Sequence, residues 1–281
     1  MDLTANPSMN ALRTAFLQQG GDAELFDTLL GDAQFALAEV VPFLTRGPVL
    51  EIGTGSGLIA AQLRQMGYDV SGMEPYSDGF TNAEVISRLA SQLANPAPIE
   101  RCGIETFTSH IRFERIYSIN VFEHLKDWRE GIRKAVSLLT PDGKLLLLCP
   151  NYSFPYEPHF HLPILFNKKI TETVFRKSIE RFEKETDARG MWKDLGFLTH
   201  REVVHFARDQ NLDVSVDKTI LHRMLGRMDA DPHFDRRHGL VGKAARLAVG
   251  MGLHKLYTRL PTGFQPYMKI VISQKRIDRL T

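Results

Sequence analysis

Apolar and polar positions divide the chain into three regimes. Between residues 8 and 46 apolar residues recur at helical spacing, with Phe26, Leu29 and Leu30 and then Phe35, Leu37, Val40 and Val41 forming shared faces. Breaks at Gly20-Gly21 and Gly31 predict two or three helices there, stopped by Pro48. Between residues 49 and 150 short apolar runs alternate with helix-period stretches. Residues 49–52, 68–74, 99–105, 113–119 and 144–149 read as strands. Residues 56–66, a segment capped by Ser77 or Asp78 and running to about 93, and residues 128–139 read as helices. This alternation predicts a parallel sheet with right-handed crossovers.

Beyond residue 150 the alternation stops. Pro150, Pro155, Pro158 and Pro163 stand among many aromatics, and a charged, helix-like stretch follows over 171–186. A segment this long after a strand's C-terminal end is usually a lid or a substrate wall. A helix over 199–211 and a strand over 213–220 come next, then a second insertion over 222–263, helical around 241–256, and a last strand over 266–274. The expected organisation is N-terminal helices over 1–47 and one α/β domain over 48–281, with lid-forming insertions at about 150–197 and 222–263.

Chemistry enters at the end of the first strand, Glu51-Ile52-Gly53-Thr54-Gly55-Ser56-Gly57. Glycines at such a turn let the backbone bend sharply and approach a ligand, where a Cβ at Gly53 or Gly55 would obstruct. The following helix start offers free N–H groups. The second strand ends in Glu74, about twenty residues on, where a carboxylate can accept both hydroxyls of a ribose. The third glycine falls one residue too early for the dinucleotide pattern, and Leu58 takes its place. Glu51 would also repel a pyrophosphate. A ribosylated cofactor that carries positive charge fits better than NAD or FAD, and S-adenosylmethionine is such a molecule.

With these residues in order, the chain resembles the class I S-adenosylmethionine (SAM)-dependent methyltransferases. The run Ile116-Tyr117-Ser118-Ile119-Asn120-Val121-Phe122-Glu123-His124-Leu125 looks like the fourth strand and exit loop of the branch that includes ubiquinone-biosynthesis O-methyltransferases. The resemblance is good over roughly 45–150 and loose elsewhere. It implies a Rossmann-like, seven-stranded sheet, mostly parallel, whose last strand is antiparallel between two parallel neighbours. It implies SAM as cofactor, with S-adenosylhomocysteine as product. The implied cofactor contacts are Glu51, Gly53, Thr54, Gly55, Gly57, Glu74, Pro75 and Asn120. Gly103 stands where relatives carry an acid for the adenine amino group, which leaves the backbone of Ile104 to read the base, or else Glu105. Glu114 replaces a usual aspartate and reads as structural.

Methyl transfer from a sulfonium is a direct displacement, aided where needed by a base that takes the acceptor's proton. His124 is the first candidate base, four residues after Asn120; a histidine that merely packs the loop is the alternative. The segment from Pro150 to His161 offers Glu157 and His159, which could assist or replace it. That segment reads either as an acceptor pocket with stiff walls or as a proline-stiffened loop covering the sheet. His159-x-His161 beside Glu157 is a weak metal pattern, so no metal is expected. The expected acceptor is a small molecule or glycan hydroxyl; the loop around Tyr156 bears a weaker likeness to methyltransferases of bacterial cell-surface glycans. A quinone-type lipid precursor is the rival acceptor. A non-catalytic, partner-binding subunit and an NAD-dependent oxidoreductase are the rival functions.

Composition adds exclusions. The net charge is +2, from 35 basic and 33 acidic residues, and no nucleic-acid module or base-methylating motif accompanies it, so no nucleic-acid partner is expected. Cys102 and Cys149 read as buried thiols of a reducing compartment, and neither a secretion signal nor a membrane span is visible, so a cytoplasmic protein is expected. From Arg236 to Arg276 there is no acid. The basic and apolar residues of 236–260 read either as an ordinary helix with a solvated face or as a contact with an anionic membrane surface or a phosphorylated acceptor. The oligomeric state is left open.

Overall fold

The computed structural model describes residues 6–76, 81–186, 188–230, 247, 251 and 261–275. The expected helix over 241–256 falls almost wholly outside these residues. Two helices open the chain, α1 (Pro7–Gln18) and α2 (Ala23–Val40), capped by the side chains of Asn6 and Asp22. A short 3-10 turn, Val41–Phe43, follows. Then come β1 (Val49–Ile52), α3 (Leu58–Gln65), β2 (Val70–Met73), α4 (Thr81–Ala90), β3 (Ile99–Glu100) and β4 (Phe113–Ile119). They continue as α5 (Trp128–Ser137), β5 (Leu139–Pro150), the small hairpin β6 (Tyr156–Glu157) and β7 (Leu162–Pro163), α6 (Lys168–Glu185) and α7 (Met191–Asp194). The chain closes with α8 (His200–Asp209), β8 (Leu212–Asp217), α9 (Ile220–Ala230) and β9 (Tyr267–Gln274).

Seven strands form one sheet in the order β3-β2-β1-β4-β5-β9-β8. β1 pairs in parallel with β2 and β4, and β4 with β5. β9 runs antiparallel between β5 and β8, as the resemblance implies. Both faces of the sheet are covered. One core gathers Leu50, Ile52, Ile116, Leu145, Leu147 and Ile270 with the helices carrying Ile132, Val203 and Phe206. The other joins Val49, Val70, Tyr117 and Leu146 to Leu58, Leu63 and Ile86, and to Met9, Phe16, Phe26 and Leu37 of the N-terminal helices. A third, aromatic core holds the first insertion together: Tyr152, Phe160, Ile179, Trp192 and Leu195, with Tyr152 stacked on Phe197 at 4.5 Å.

Several boundaries differ from the expectations. β3 covers two residues where seven were expected, because Glu100 and Arg101 are exposed at a sheet edge and the chain turns back at Gly103, whose carbonyl accepts from Phe107 N–H at 3.1 Å. Residues 140–143, between the expected helix over 128–139 and the expected strand over 144–149, lie within β5, as an irregularity between the pairings Phe113↔Leu139 and Arg115↔Lys144. α3 begins at Leu58 and not at Ser56, because Gly57 takes a left-handed φ of 71° as its N-cap. Cys102 is only half-buried, whereas Cys149 is buried.

A charged knot ties the last elements to α2. The buried Glu39 carboxylate accepts from Arg223 Nε at 2.5 Å and Nη2 at 2.7 Å, and from Lys269 Nζ at 2.8 Å. Arg223 also donates to Asp217 at 2.7 Å. Burial alone would raise the Glu39 pKa, but its bonds to Arg223 and Lys269 outweigh that and lower it. A carboxyl depressed in this way stabilises the fold above its unfolded pKa, and the contribution is lost as pH falls through the folded value. Breaking a fully buried pair costs about 3–5 kcal/mol. The Arg223 side chain is 36% exposed, so Glu39→Gln should cost about 2–3 kcal/mol, read from the denaturant midpoint. A loss below about 1 kcal/mol would show that the knot is only a surface pair.

Candidate active site

The glycine turn lies at the C-terminal ends of the parallel strands, where open α/β sheets bind ligands. Gly53, Gly55 and Gly57 all have positive φ, at 75°, 50° and 71°. The two first glycines differ in what confines them. A Cβ on Gly53 would overlap the Val121 side chain, whereas a Cβ on Gly55 would meet nothing within 4 Å. The crevice at Gly55 is therefore open, and only its backbone conformation requires glycine. Gly55→Ala should cost about 1–2 kcal/mol for the left-handed backbone alone. Gly53→Ala should cost about 2–4 kcal/mol, because overpacking against Val121 adds to the same strain. Equilibrium denaturation of the two variants separates these values.

Glu74 follows β2 and accepts from Gly55 N–H at 2.7 Å. This bond holds the carboxylate over the turn. Burial raises the Glu74 pKa, against the lowering effect of the Gly55 and Tyr76 N–H groups. Glu51 is fully buried in the middle of the sheet, and its Oε2 has no hydrogen-bond partner among the described residues. Burial raises its pKa to about 8; the neighbouring Tyr117 hydroxyl opposes this without reaching hydrogen-bond geometry. An orphaned acid of this kind suits a cationic ligand group. Thr54 is buried, Pro75 exposed, and Asn120 leaves β4 with a left-handed φ of 54°. Gly103 and Ile104 form the turn after β3, and the Ile104 side chain is in the core. Tyr76, which the sequence reading omits, stands after Pro75 with a positive φ of 46° and bonds Ser87 through its hydroxyl.

A second group assembles just past Asn120. Val121 packs on Gly53, and the next residues form a 3-10 turn, Phe122–His124. The first insertion folds back onto this turn: Gly196 N–H donates to the Glu123 carbonyl at 2.5 Å, and a Cβ on Gly196 would come within 3.1 Å of that oxygen. The same insertion brings up Glu157 of β6 and His159. Glu157 is fully buried and accepts from Tyr152 Oη at 3.1 Å, from Phe160 N–H at 2.6 Å and from His159 Nδ1 at 2.7 Å. An ionised carboxylate only accepts, so Nδ1 carries the proton and Nε2 is left for other partners. His159 Nε2 and His124 Nε2 each lie 3.9 Å from Glu123 Oε1, and the two rings stand edge to face at 5.6 Å.

Electrostatics distinguishes these groups. Burial lowers His124, helped by His159, to about 3, so it stays neutral at ordinary pH. Burial would lower His159 too, but its bond to Glu157 and the charges of Glu157, Glu123 and Asp32 raise it instead. Burial raises Glu123 to about 7. Glu157 is lowered, because its His159 and backbone bonds outweigh burial.

The structure thus brings His124, Glu157 and His159 together. It separates His161, which turns its ring toward Phe182. Glu123 stands inside the sequence motif, but its neighbours in the chain assign it no role. The sequence expectations also leave out Asn151, which is buried and staples the strand exit: Nδ2 donates to the Thr262 and Gln265 carbonyls at 3.0 and 2.8 Å, and Oδ1 accepts from His200 N–H at 3.1 Å. A polar residue directly after an apolar strand and before a proline-rich loop is the signal that could have marked it.

A sheet of this order, with a glycine turn, a strand-end acid and a buried acid two residues before the turn, defines the class I SAM-dependent methyltransferases. The methyltransferase-domain family model matches residues 26–217, and the chain belongs to that family. An uncharacterized protein of Mycobacterium tuberculosis, Rv1509, is 35% identical over 254 residues, covering 88% of this chain and 87% of that protein. The mitochondrial ubiquinone biosynthesis O-methyltransferase of Bos taurus is 25% identical over 169 residues, covering 59% of this chain and 42% of that protein. Among solved structures, the CcbJ methyltransferase of Streptomyces caelestis shares the fold with a TM-score of 0.51 at 14% identity, over 87% of this chain and 90% of that one. The cyclopropane synthase MmaA2 of Mycobacterium tuberculosis shares it with a TM-score of 0.51 at 17% identity, over 86% and 82%. The protein is a methyltransferase enzyme, and S-adenosylmethionine is its cofactor. No helix among the described residues is long and apolar enough to cross a membrane.

Proposed function

We propose that this methyltransferase acts on a hydroxyl oxygen of a small-molecule or glycan acceptor, and that the buried cluster of Glu123, His124, Glu157 and His159 receives and ionises that hydroxyl. The observation that carries this reading is the cluster itself: two histidines and two acids, directly past the loop that packs on the glycine turn. Bound S-adenosylmethionine supplies an electrophilic methyl group on a sulfonium. Glu51 and Thr54 would hold the amino-acid end, Glu74 the ribose, and the Gly103–Ile104 turn the base. Glu157 fixes the ring of His159, so that its Nε2 faces Glu123 and not the solvent. Tyr152 and Phe160 of the insertion's aromatic core hold Glu157, and the burial of Glu123 and Glu157 strengthens the polar interactions they make.

A non-catalytic partner-binding role would leave a fully buried Glu123 carboxylate without purpose, at a cost of several kcal/mol by order of magnitude. A quinone-type phenol is the second acceptor reading, favoured by the likeness to the ubiquinone enzyme. The test is incubation with S-adenosylmethionine and a panel of sugars, glycan ends and catechols, followed by mass spectrometry. A gain of one methyl on oxygen is expected; methylation confined to nitrogen or carbon acceptors would refute the proposal.

A further inference from the structure

The geometry points to a metal site: we propose that Glu123, His124 and His159 bind one divalent transition-metal cation of the zinc type, with Glu157 as the partner that orients His159. This rests on the acceptor reading above and deepens it, because the open positions of the cation would face the acceptor hydroxyl.

One carboxylate oxygen and two imidazole nitrogens, one from each residue, all lie within 4.8 Å of one another. Two ligand bonds of about 2.1 Å can span at most about 4.2 Å. Both 3.9 Å separations from Glu123 Oε1 are therefore already in reach, and a small rotation of either ring closes the remaining gap. Those 3.9 Å separations are too long for hydrogen bonds. Both Glu123 oxygens lack a partner among the described residues, although the side chain is completely buried. An unsatisfied buried carboxylate needs an explanation, and a cation among its neighbours is one that the donor set favours.

The donor chemistry narrows the ion. Two imidazoles and one carboxylate, with no thiolate, make the His2Glu set of catalytic zinc sites, which leave a further position for water or substrate. An all-oxygen set would instead select magnesium or calcium. The surroundings also match. The His159 Nδ1–Glu157 bond of 2.7 Å is the carboxylate–histidine contact that fixes a ligating imidazole, and Glu157 is itself held by Tyr152 and the Phe160 N–H. Two separate parts of the chain converge on the site: the turn after β4 supplies Glu123 and His124, and the insertion supplies His159. This arrangement differs from the His159-x-His161 pair considered from sequence, and it departs from the expectation of no metal. An acceptor hydroxyl bound at the open position would lose its proton more readily, as metal-bound water does.

The test uses the full chain, treated with a chelator and dialysed, and titrated with zinc chloride in a calorimeter. One ion per chain at micromolar affinity or tighter is expected. Cobalt(II) chloride should give visible absorption bands of a low-coordinate N/O site. Glu123→Gln and His159→Asn should each weaken zinc at least 100-fold, while Glu157→Gln should weaken it about 10–100-fold. S-adenosylhomocysteine affinity, measured on the same samples, reports whether each variant is folded and should not change. Zinc binding below a tenth of an ion per chain, or equal affinity in wild type, Glu123→Gln and His159→Asn, would overturn the site. Failure of the acceptor reading looks different: zinc would bind as described while no hydroxyl compound gained a methyl group.

Discussion

Replacing His159 by asparagine is expected to lower methyl transfer to a hydroxyl acceptor by about 10²–10⁴-fold, the range that assisted removal of the acceptor's proton contributes. The bond between His159 Nδ1 and Glu157 Oε1 at 2.7 Å leaves Nε2 turned toward Glu123 and His124. Asparagine keeps a polar side chain but cannot present that nitrogen. The fall should appear in kcat, with S-adenosylhomocysteine affinity unchanged, because the crevice at Gly55 and Glu74 is built from other elements. Glu157→Gln keeps the volume and removes the charge. It should cost about 10–100-fold, since an amide holds the imidazole less firmly and can favour the wrong tautomer. Full turnover by His159→Asn on an acceptor that the wild type methylates would remove the cluster from the mechanism.

That cluster shows where the sequence stops being informative. The glycine turn, Glu74 and the run through Asn120 were legible because each depends on neighbours in the chain: a strand must end, a turn must follow, and the spacing places an acid beside it. Strand β4 was found with its observed bounds for the same reason. The role of Glu123 was not legible. It depends on the docking of Gly196 onto the Glu123 carbonyl and on the arrival of His159, both from the insertion, and no local pattern encodes either. Of the base candidate His124 the sequence shows only the residue type: burial lowers its pKa to about 3, which leaves a neutral imidazole that is a weak proton acceptor. The expected strand over 99–105 shortens to β3 because an edge strand with exposed Glu100 and Arg101 ends where its partner β2 does. Asn151 escaped notice because its four hydrogen bonds reach residues far away in the chain as well as Ser153.

The affinity for S-adenosylhomocysteine is expected to rise about tenfold per pH unit between pH 6 and 7.5, because one pKa-linked proton must leave for each ligand bound. Glu51 is the source of that proton. Its carboxyl is buried at the end of β1, two residues before the glycine turn, and in the free protein burial raises its pKa to about 8. An ammonium group beside it favours the ionised form, so binding expels the proton below that pH. The sign follows: raising the pH removes the competing proton, and the dependence flattens above the Glu51 pKa. The free protein behaves in the opposite way. A carboxyl whose folded pKa lies above its unfolded value of about 4.5 stabilises the fold only at low pH, and that contribution declines as pH rises toward 8. Thermal stabilisation by the ligand should therefore be larger at pH 7.5 than at pH 6. Glu51→Gln should bind more weakly at pH 7.5 and lose the pH slope, since glutamine does not titrate. 5′-Methylthioadenosine, which has no ammonium, should show no slope even with the wild type. Calorimetry in buffers of different ionisation enthalpy counts the released proton directly. A wild-type affinity that stays flat from pH 6 to 7.5, with no proton released, would mean that Glu51 does not meet the cationic end of the cofactor.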